Sequence, residues 1–206
     1  MTTSSWSEVF RDKRRELIST ILALMATLWM FSHFVQWVER RPGAVLRDPL
    51  LELLNPVDFT WSIFLIIYGA LLFGVLRLRT DPDGLLRLIR SYAILVLIRT
   101  LTMWLVPLDP PTDMILLVDP VVALSGADAL TRDLFFSGHT ATMCLLTYSM
   151  NTRATKIMMA GLTMLLAALL LIQHVHYSID VAAAPLFAAL AWRTSQRPGG
   201  WFFRTK

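Results

Sequence analysis

The chain has 206 residues, of which 55% are apolar and 17% charged, against about 25% charged in soluble domains. That balance, with a mean hydropathy of +0.56, excludes an ordinary soluble domain and implies a polytopic membrane protein. The net charge of +4 does not point to nucleic acid, because the basic residues lie between apolar runs and read as topology determinants.

Residues 1–16 form a basic segment with Arg11, Lys13, Arg14 and Arg15. The apolar run from Leu17 to about Val38 is too long for the core of a signal peptide and lacks a small-residue cleavage site, so it reads as a first, retained span. Trp29 and Trp37 are interfacial anchors toward its far end, and His33 reads as a buried or interfacial histidine without catalytic duty. Residues 39–57 are a loop broken by Pro42-Gly43, Pro49 and Asn55-Pro56. A second span runs from about Phe59 to Leu76. Arg77, Arg79, Arg87 and Arg90 surround the turn Asp81-Pro82-Asp83-Gly84, and a third span runs from about Ser91 to Val106.

The third span carries one charge, Arg99. An arginine in mid-span costs about 2.5–3.5 kcal/mol on insertion scales, so it faces a cavity or a partner: either a structural ion pair or a phosphate ligand. Residues 107–136 make the longest loop, with Asp109, Asp113, Asp119, Asp128 and Asp133 against Arg132 alone. Within it, Met114 to Val122 reads as a short apolar re-entrant or interfacial piece. A loop this long is often functional. Spans four, five and six are expected at about Thr140–Met150, Ile157–Gln173 and Ile179–Trp192, before a basic tail at 194–206. Cys144, the one cysteine, lies in a span and excludes an intramolecular disulfide.

With the N-terminus inside, inner segments hold fourteen of the nineteen Lys and Arg and outer loops four, Arg99 being the remainder. The positive-inside rule therefore favours an all-α fold of six transmembrane helices, N-in and C-in. The expected organisation is a cytoplasmic segment at 1–16, one catalytic domain at 17–193 and a cytoplasmic tail at 194–206. That choice puts His139, His176 and Asp180 on the outer face, although the charge count made no use of them.

Two helix starts carry the chemistry. Asp133-Leu134-Phe135-Phe136-Ser137-Gly138-His139-Thr140 precedes span four, and the first turn of a helix offers unpartnered N–H groups and the positive end of its dipole to an anion. Gly138 permits close approach of a ligand to the backbone. His176-Tyr177-Ser178-Ile179-Asp180 precedes span six. His176 and Asp180 are one helical turn apart and share a face, so the carboxylate can fix the imidazole tautomer and raise the basicity of its other nitrogen. Such an imidazole can attack phosphorus. His139 can then act as general acid and base, a contribution of about 10²–10⁴-fold.

Bland readings stand beside this one. Asp180 near a helix start is favoured by the dipole alone. His174-Val175-His176 with His139 and Asp180 can be read as a zinc site, although two histidines spaced by one residue do not set up the usual ligand geometry. A non-catalytic lipid-binding or lipid-scrambling protein is a third alternative. No metal and no cofactor are expected.

The stretches 133–140 and 176–180 resemble the third and fourth signature motifs of the sphingomyelin synthase family, a branch of the type 2 phosphatidic acid phosphatase superfamily. Arg99-Thr100-Leu101-Thr102-Met103 resembles the second motif and 48–58 is a weak counterpart of the first, so the likeness covers about Asp48 to Trp192. The resemblance implies six spans, an exoplasmic site and a triad of His139, His176 and Asp180, with His176 the nucleophile. It implies transfer of a phospho-head-group from a glycerophospholipid donor to a lipid alcohol such as ceramide or diacylglycerol. Arg99, Asp133, Ser137, Gly138 and Tyr177 are expected to bind substrate or phosphate. The ordinary lipid phosphatases of the superfamily carry a Lys-x6-Arg-Pro motif and a Ser-Arg pair before the second histidine. Here Leu169 and Leu170 stand at the latter positions, which favours transfer over simple hydrolysis. The compact loops suggest a bacterial or minimal relative, placed in the inner (plasma) membrane with its site on the outer face.

Overall fold

The computed structural model describes residues 6–120 and 130–196. Among them are seven α-helices, one turn of 3-10 helix at Leu51–Leu53 and no strand. The helices are α1 (Trp6–Asp12), α2 (Arg14–Val38), α3 (Thr60–Leu78), α4 (Pro82–Leu105), α5 (Gly138–Ser149), α6 (Arg153–Ile172) and α7 (Ser178–Thr194). Asp128, the end of the expected re-entrant piece at Val121-Val122, and Arg197, Arg204 and Lys206 of the basic tail lie outside the described residues.

Local chemistry sets the boundaries. α4 starts at Pro82, not at Ser91, because Asp81-Pro82 is a helix start: the Asp81 side chain accepts the Gly84 N–H at 3.0 Å, and Pro82 sits where its missing N–H costs nothing. Thr152 caps α6 by accepting the Thr155 N–H at 3.2 Å. α6 ends in a Schellman turn, with the Val175 N–H on the Leu170 carbonyl and the His174 N–H on the Leu171 carbonyl, both at 3.0 Å. His174 holds the left-handed position usually given to glycine, with φ 57°. From Met114 to Asp119 the backbone is not helical. It runs alongside the end of α6, where the Ile115 N–H meets the Gln173 carbonyl at 3.1 Å.

Among the described residues, four helices are long and apolar enough to cross a membrane: α2, α3, α4 and α6. α5 and α7 have 12 and 17 residues, about 18 and 25 Å of helix against a hydrocarbon core of about 30 Å. The short α5 is the centre of the bundle and packs on α3, α4, α6 and α7. One of its faces sends Met143 and Leu146 against Ile63, Ile67 and Leu166; the other sends Ala141, Cys144 and Leu145 against Leu95 and the alanine stripe Ala184, Ala188 and Ala191 of α7. Small residues at that spacing let two helices approach closely, which is how apolar helices associate when lipid supplies no hydrophobic drive. Outward-facing Trp61, Leu65, Met164 and Leu186 are exposed, as expected of surfaces that meet lipid.

The two ends of the bundle are tied separately. At one end α1 and the start of α2 are pinned to the α3–α4 turn. Trp6 donates to the Arg79 carbonyl at 2.6 Å, Lys13 pairs with Asp83 at 2.6 Å and Arg90 with Glu16 at 2.7 Å. At the other end Ala44 and Leu108 form a backbone bridge, and Gly43 lies so close to it that a Cβ would sit 2.4 Å from the Leu108 carbonyl carbon. Arg132 joins this end, donating to Asp109 and to the Glu39 carbonyl, while Glu39 also accepts the Thr131 and Arg132 N–H groups. The salt bridge with Arg132 holds the Asp109 carboxyl below the usual range.

Candidate active site

The site is assembled at the second end, where the chain enters α5 and α7. The Ser137 N–H donates to the Asp180 carbonyl at 3.0 Å, so a backbone hydrogen bond joins the two histidine segments directly. The imidazoles of His139 and His176 then face each other with ring centroids 6.5 Å apart and planes inclined at 61°. His176 is buried, His139 half-buried, and the edge of Phe64 on α3 closes one side, 6.2 Å from the His139 ring.

Asp180 is fully buried. Its Oδ2 lies 3.3 Å from His176 Nδ1 and accepts the Tyr177 N–H at 3.2 Å. That arrangement places the ring proton on Nδ1 and leaves the Nε2 lone pair of His176 for chemistry. Because Asp180 occupies the third position of α7, it also caps the helix start. Among the described residues its Oδ1 meets no hydrogen-bond donor.

Arg99 reaches the site from α4 but spends its donors on protein. Nε donates to Asp133 Oδ1 at 3.0 Å, Nη2 to the Asp133 carbonyl at 2.8 Å, and Nη1 to the Phe136 carbonyl; Nη2 also lies 2.7 Å from Asp133 Oδ1. All three nitrogens therefore grip the loop that leads into α5. The guanidinium lies beneath Gly138, where a Cβ would come within 3.1 Å of its central carbon.

Asp133 is thus turned toward Arg99. Ser137 is the N-cap of α5, its hydroxyl accepting from the Thr140 N–H at 3.3 Å and the Thr140 hydroxyl at 3.1 Å. Tyr177 is buried; its hydroxyl accepts the Leu46 N–H at 3.1 Å and donates to the Asp109 carbonyl at 2.9 Å. In this structure, then, the polar groups of Arg99, Asp133, Ser137 and Tyr177 meet protein partners. Gly138, at the open start of α5, presents backbone.

His174 is buried with φ 57°, and among the described residues its Nε2 has no partner. Among the described residues no three His, Cys, Asp or Glu side chains converge to hold a metal ion. His33 lies on the exposed surface of α2, its Nδ1 2.8 Å from the Trp29 carbonyl.

Two residues that the sequence did not single out also shape the site. Gln173 is fully buried and joins three elements: its Oε1 accepts the Phe59 N–H at 2.9 Å, and its Nε2 donates to Thr60 Oγ1 and the Ile115 carbonyl. Asp48 reaches the start of α7 from the α2–α3 loop. Its position in the weak first motif was the one signal available.

No curated protein matches the chain. Residues 132–197, the stretch that holds His139, His176 and Asp180, match the family model described as PAP2 superfamily C-terminal, and this match supports the type 2 phosphatidic acid phosphatase superfamily.

Proposed function

We propose that the chain is a membrane lipid phosphotransferase that moves a phospho-head-group from a glycerophospholipid to a lipid alcohol through a phosphohistidine. The observation that carries this reading is the pair of facing imidazoles, 6.5 Å between ring centroids, one of them oriented by a buried carboxylate. That separation suits one phosphorus held between two rings.

In the first step His176 Nε2 attacks phosphorus and forms a P–N bond. The P–O bond to the diacylglycerol oxygen breaks, and that oxygen takes a proton from the His139 imidazolium. In the second step the acceptor hydroxyl gives its proton to neutral His139, its oxygen attacks phosphorus, and the P–N bond breaks to return His176. Asp180 stabilises the charge that His176 acquires. The start of α5, with Gly138, receives the phosphate oxygens. Arg99 and Asp133 fix the loop that presents that start.

The same reading places six spans in the bilayer, with the short α5 and α7 among them, both termini inside and the site at the outer rim. Water as acceptor gives hydrolysis with an identical first step, and a superfamily of phosphatases keeps that second reading in play. The experiment is an assay of purified protein in lipid with a head-group-labelled phospholipid and an added lipid alcohol. Label in a new lipid supports transfer. Free phospho-head-group alone supports hydrolysis, and no turnover of any phospholipid rejects both.

A further inference from the structure

Of the two helix starts at the site, one already holds an anion. Asp48 is 8% exposed, and its Oδ2 accepts the Ser178 N–H at 2.6 Å. Its Oδ1 accepts the N–H groups of Leu50 at 3.0 Å and Leu51 at 3.4 Å. The carboxylate is therefore wedged between its own loop and the first residue of α7, two positions after His176 and two before Asp180. Ser178 N–H is one of the donors a helix cannot satisfy internally, and a negative charge there is also favoured by the dipole. Burial works against ionisation of Asp48, but the bonds from Ser178, Leu51 and Leu50 prevail and hold its pKa below the ordinary 3.8.

The start of α5 is different. Its nearby carboxylate, Asp133, is engaged by Arg99. Among the described residues, no side-chain acceptor meets the N–H of Gly138 or His139.

We propose that Asp48 is a positioning residue of this site: its carboxylate fixes the first turn of α7, and with it the ring of His176, and by filling that helix start it directs the substrate phosphate to the start of α5. The catalytic part of this inference rests on the phosphotransfer reading; the positioning of the His176 ring does not. A ring displaced by about 1 Å can lose 10²-fold in rate, and among the described residues the His176 imidazole is hydrogen-bonded to Asp180 alone.

The test uses the full chain in lipid, with Asp48→Ala and Asp48→Asn, and two readouts. The first is turnover of the labelled phospholipid. Asp48→Ala should lower kcat about 100-fold with little change in KM, formate should restore much of it by filling the vacated space and accepting the Ser178 N–H, and Asp48→Asn, which keeps an acceptor oxygen, should lose less. Formate should not restore His176→Ala. The second is the ¹⁵N spectrum of the histidine rings, which needs no turnover. His176 should be protonated at Nδ1 in the wild type, should shift or broaden in Asp48→Ala, and should return with formate. Unchanged kcat and an unchanged His176 spectrum in Asp48→Ala would overturn the proposal, as would losses in both variants that formate leaves untouched. If the wild type turns over no phospholipid, the functional reading falls and the nitrogen spectrum alone decides the role of Asp48.

Discussion

At the scale of single residues, His176 and Asp180 are paired at 3.3 Å, and the proposed chemistry uses them together. Asp180→Asn keeps the shape but can offer its N–H₂ to the ring, favouring the tautomer protonated at Nε2 and removing the nucleophilic lone pair. Turnover should fall about 10³–10⁴-fold, as when the carboxylate of a comparable dyad is made an amide, with KM little changed; a loss under tenfold would remove Asp180 from the chemistry. Asp48 supplies a pH-dependent prediction. Its folded pKa is depressed, so its stabilising effect is complete above the ordinary carboxylate value and is lost as pH falls through the lower, folded one. The melting-temperature gap between wild type and Asp48→Asn should hold steady from about pH 7 to pH 5 and close in more acidic buffer, below about pH 4. A gap that closes near neutral pH would show that some other group is responsible.

At the scale of elements, the loop from Asp133 to Gly138 is the part most sensitive to change. It enters α5 through Ser137, whose hydroxyl caps the helix, with Phe135 at φ 96° and a buried arginine holding two of its carbonyls. Arg99→Ala strips partners from the half-buried Asp133 and from the Phe136 carbonyl, and should lower the melting temperature by less than the about 3–5 kcal/mol lost when a fully buried pair is broken would imply. Gly138→Ala is the gentler probe. Its methyl would press on the Arg99 guanidinium at 3.1–3.3 Å, moving the α5 start while leaving the bundle core alone. The variant should fold with a melting temperature near wild type and lose most of its activity; wild-type turnover would mean that no ligand needs that backbone.

How much of this was legible in the sequence differs by element. Apolar runs bounded by Pro, Asn and charged residues gave α2, α3, α5, α6 and α7 to within a few residues, because a helix in lipid must satisfy its own backbone and leaves little room for alternatives. α4 is longer than its apolar run because Asp81-Pro82, which has the composition of a turn, starts the helix instead. α1 was hidden in a segment with no apolar period. The meeting of His139 and His176 was foreshadowed by charge counting and motif resemblance. The destinations of Arg99 and Asp48 were not, since a lone charge carries no record of which distant carbonyl or N–H it will find. Tyr177 shows the same limit: adjacent to His176 in sequence, it points into the neighbouring loops and clamps Leu46 to Asp109.

At the scale of the whole molecule, the bundle sorts its loops to two ends. Trp6, Arg79, Asp81 and Asn151 meet at one; Glu39, Ala44, Asp109, Arg132 and Tyr177 build the other. The proposed topology places the first end inside and the second outside. Cys144 is buried and gives a low background for thiol labelling, so cysteines placed at Arg47 and Arg79 report the two faces. In intact cells an impermeant reagent should label Arg47→Cys and spare Arg79→Cys until the membrane is opened. The reverse pattern would put the site inside, and labelling of both would deny that the two ends face opposite sides.

The proposed chemistry has one phosphorus handled between the two imidazoles, with His176 as its covalent carrier. The direct measurement is to quench purified protein within its first turnovers on a head-group-labelled phospholipid, digest it at alkaline pH, where phosphohistidine survives, and locate the label by mass spectrometry. Label on His176 in the wild type, and on no residue of His176→Ala, is the predicted result. Label on any other side chain, or steady turnover by His176→Ala, would contradict it.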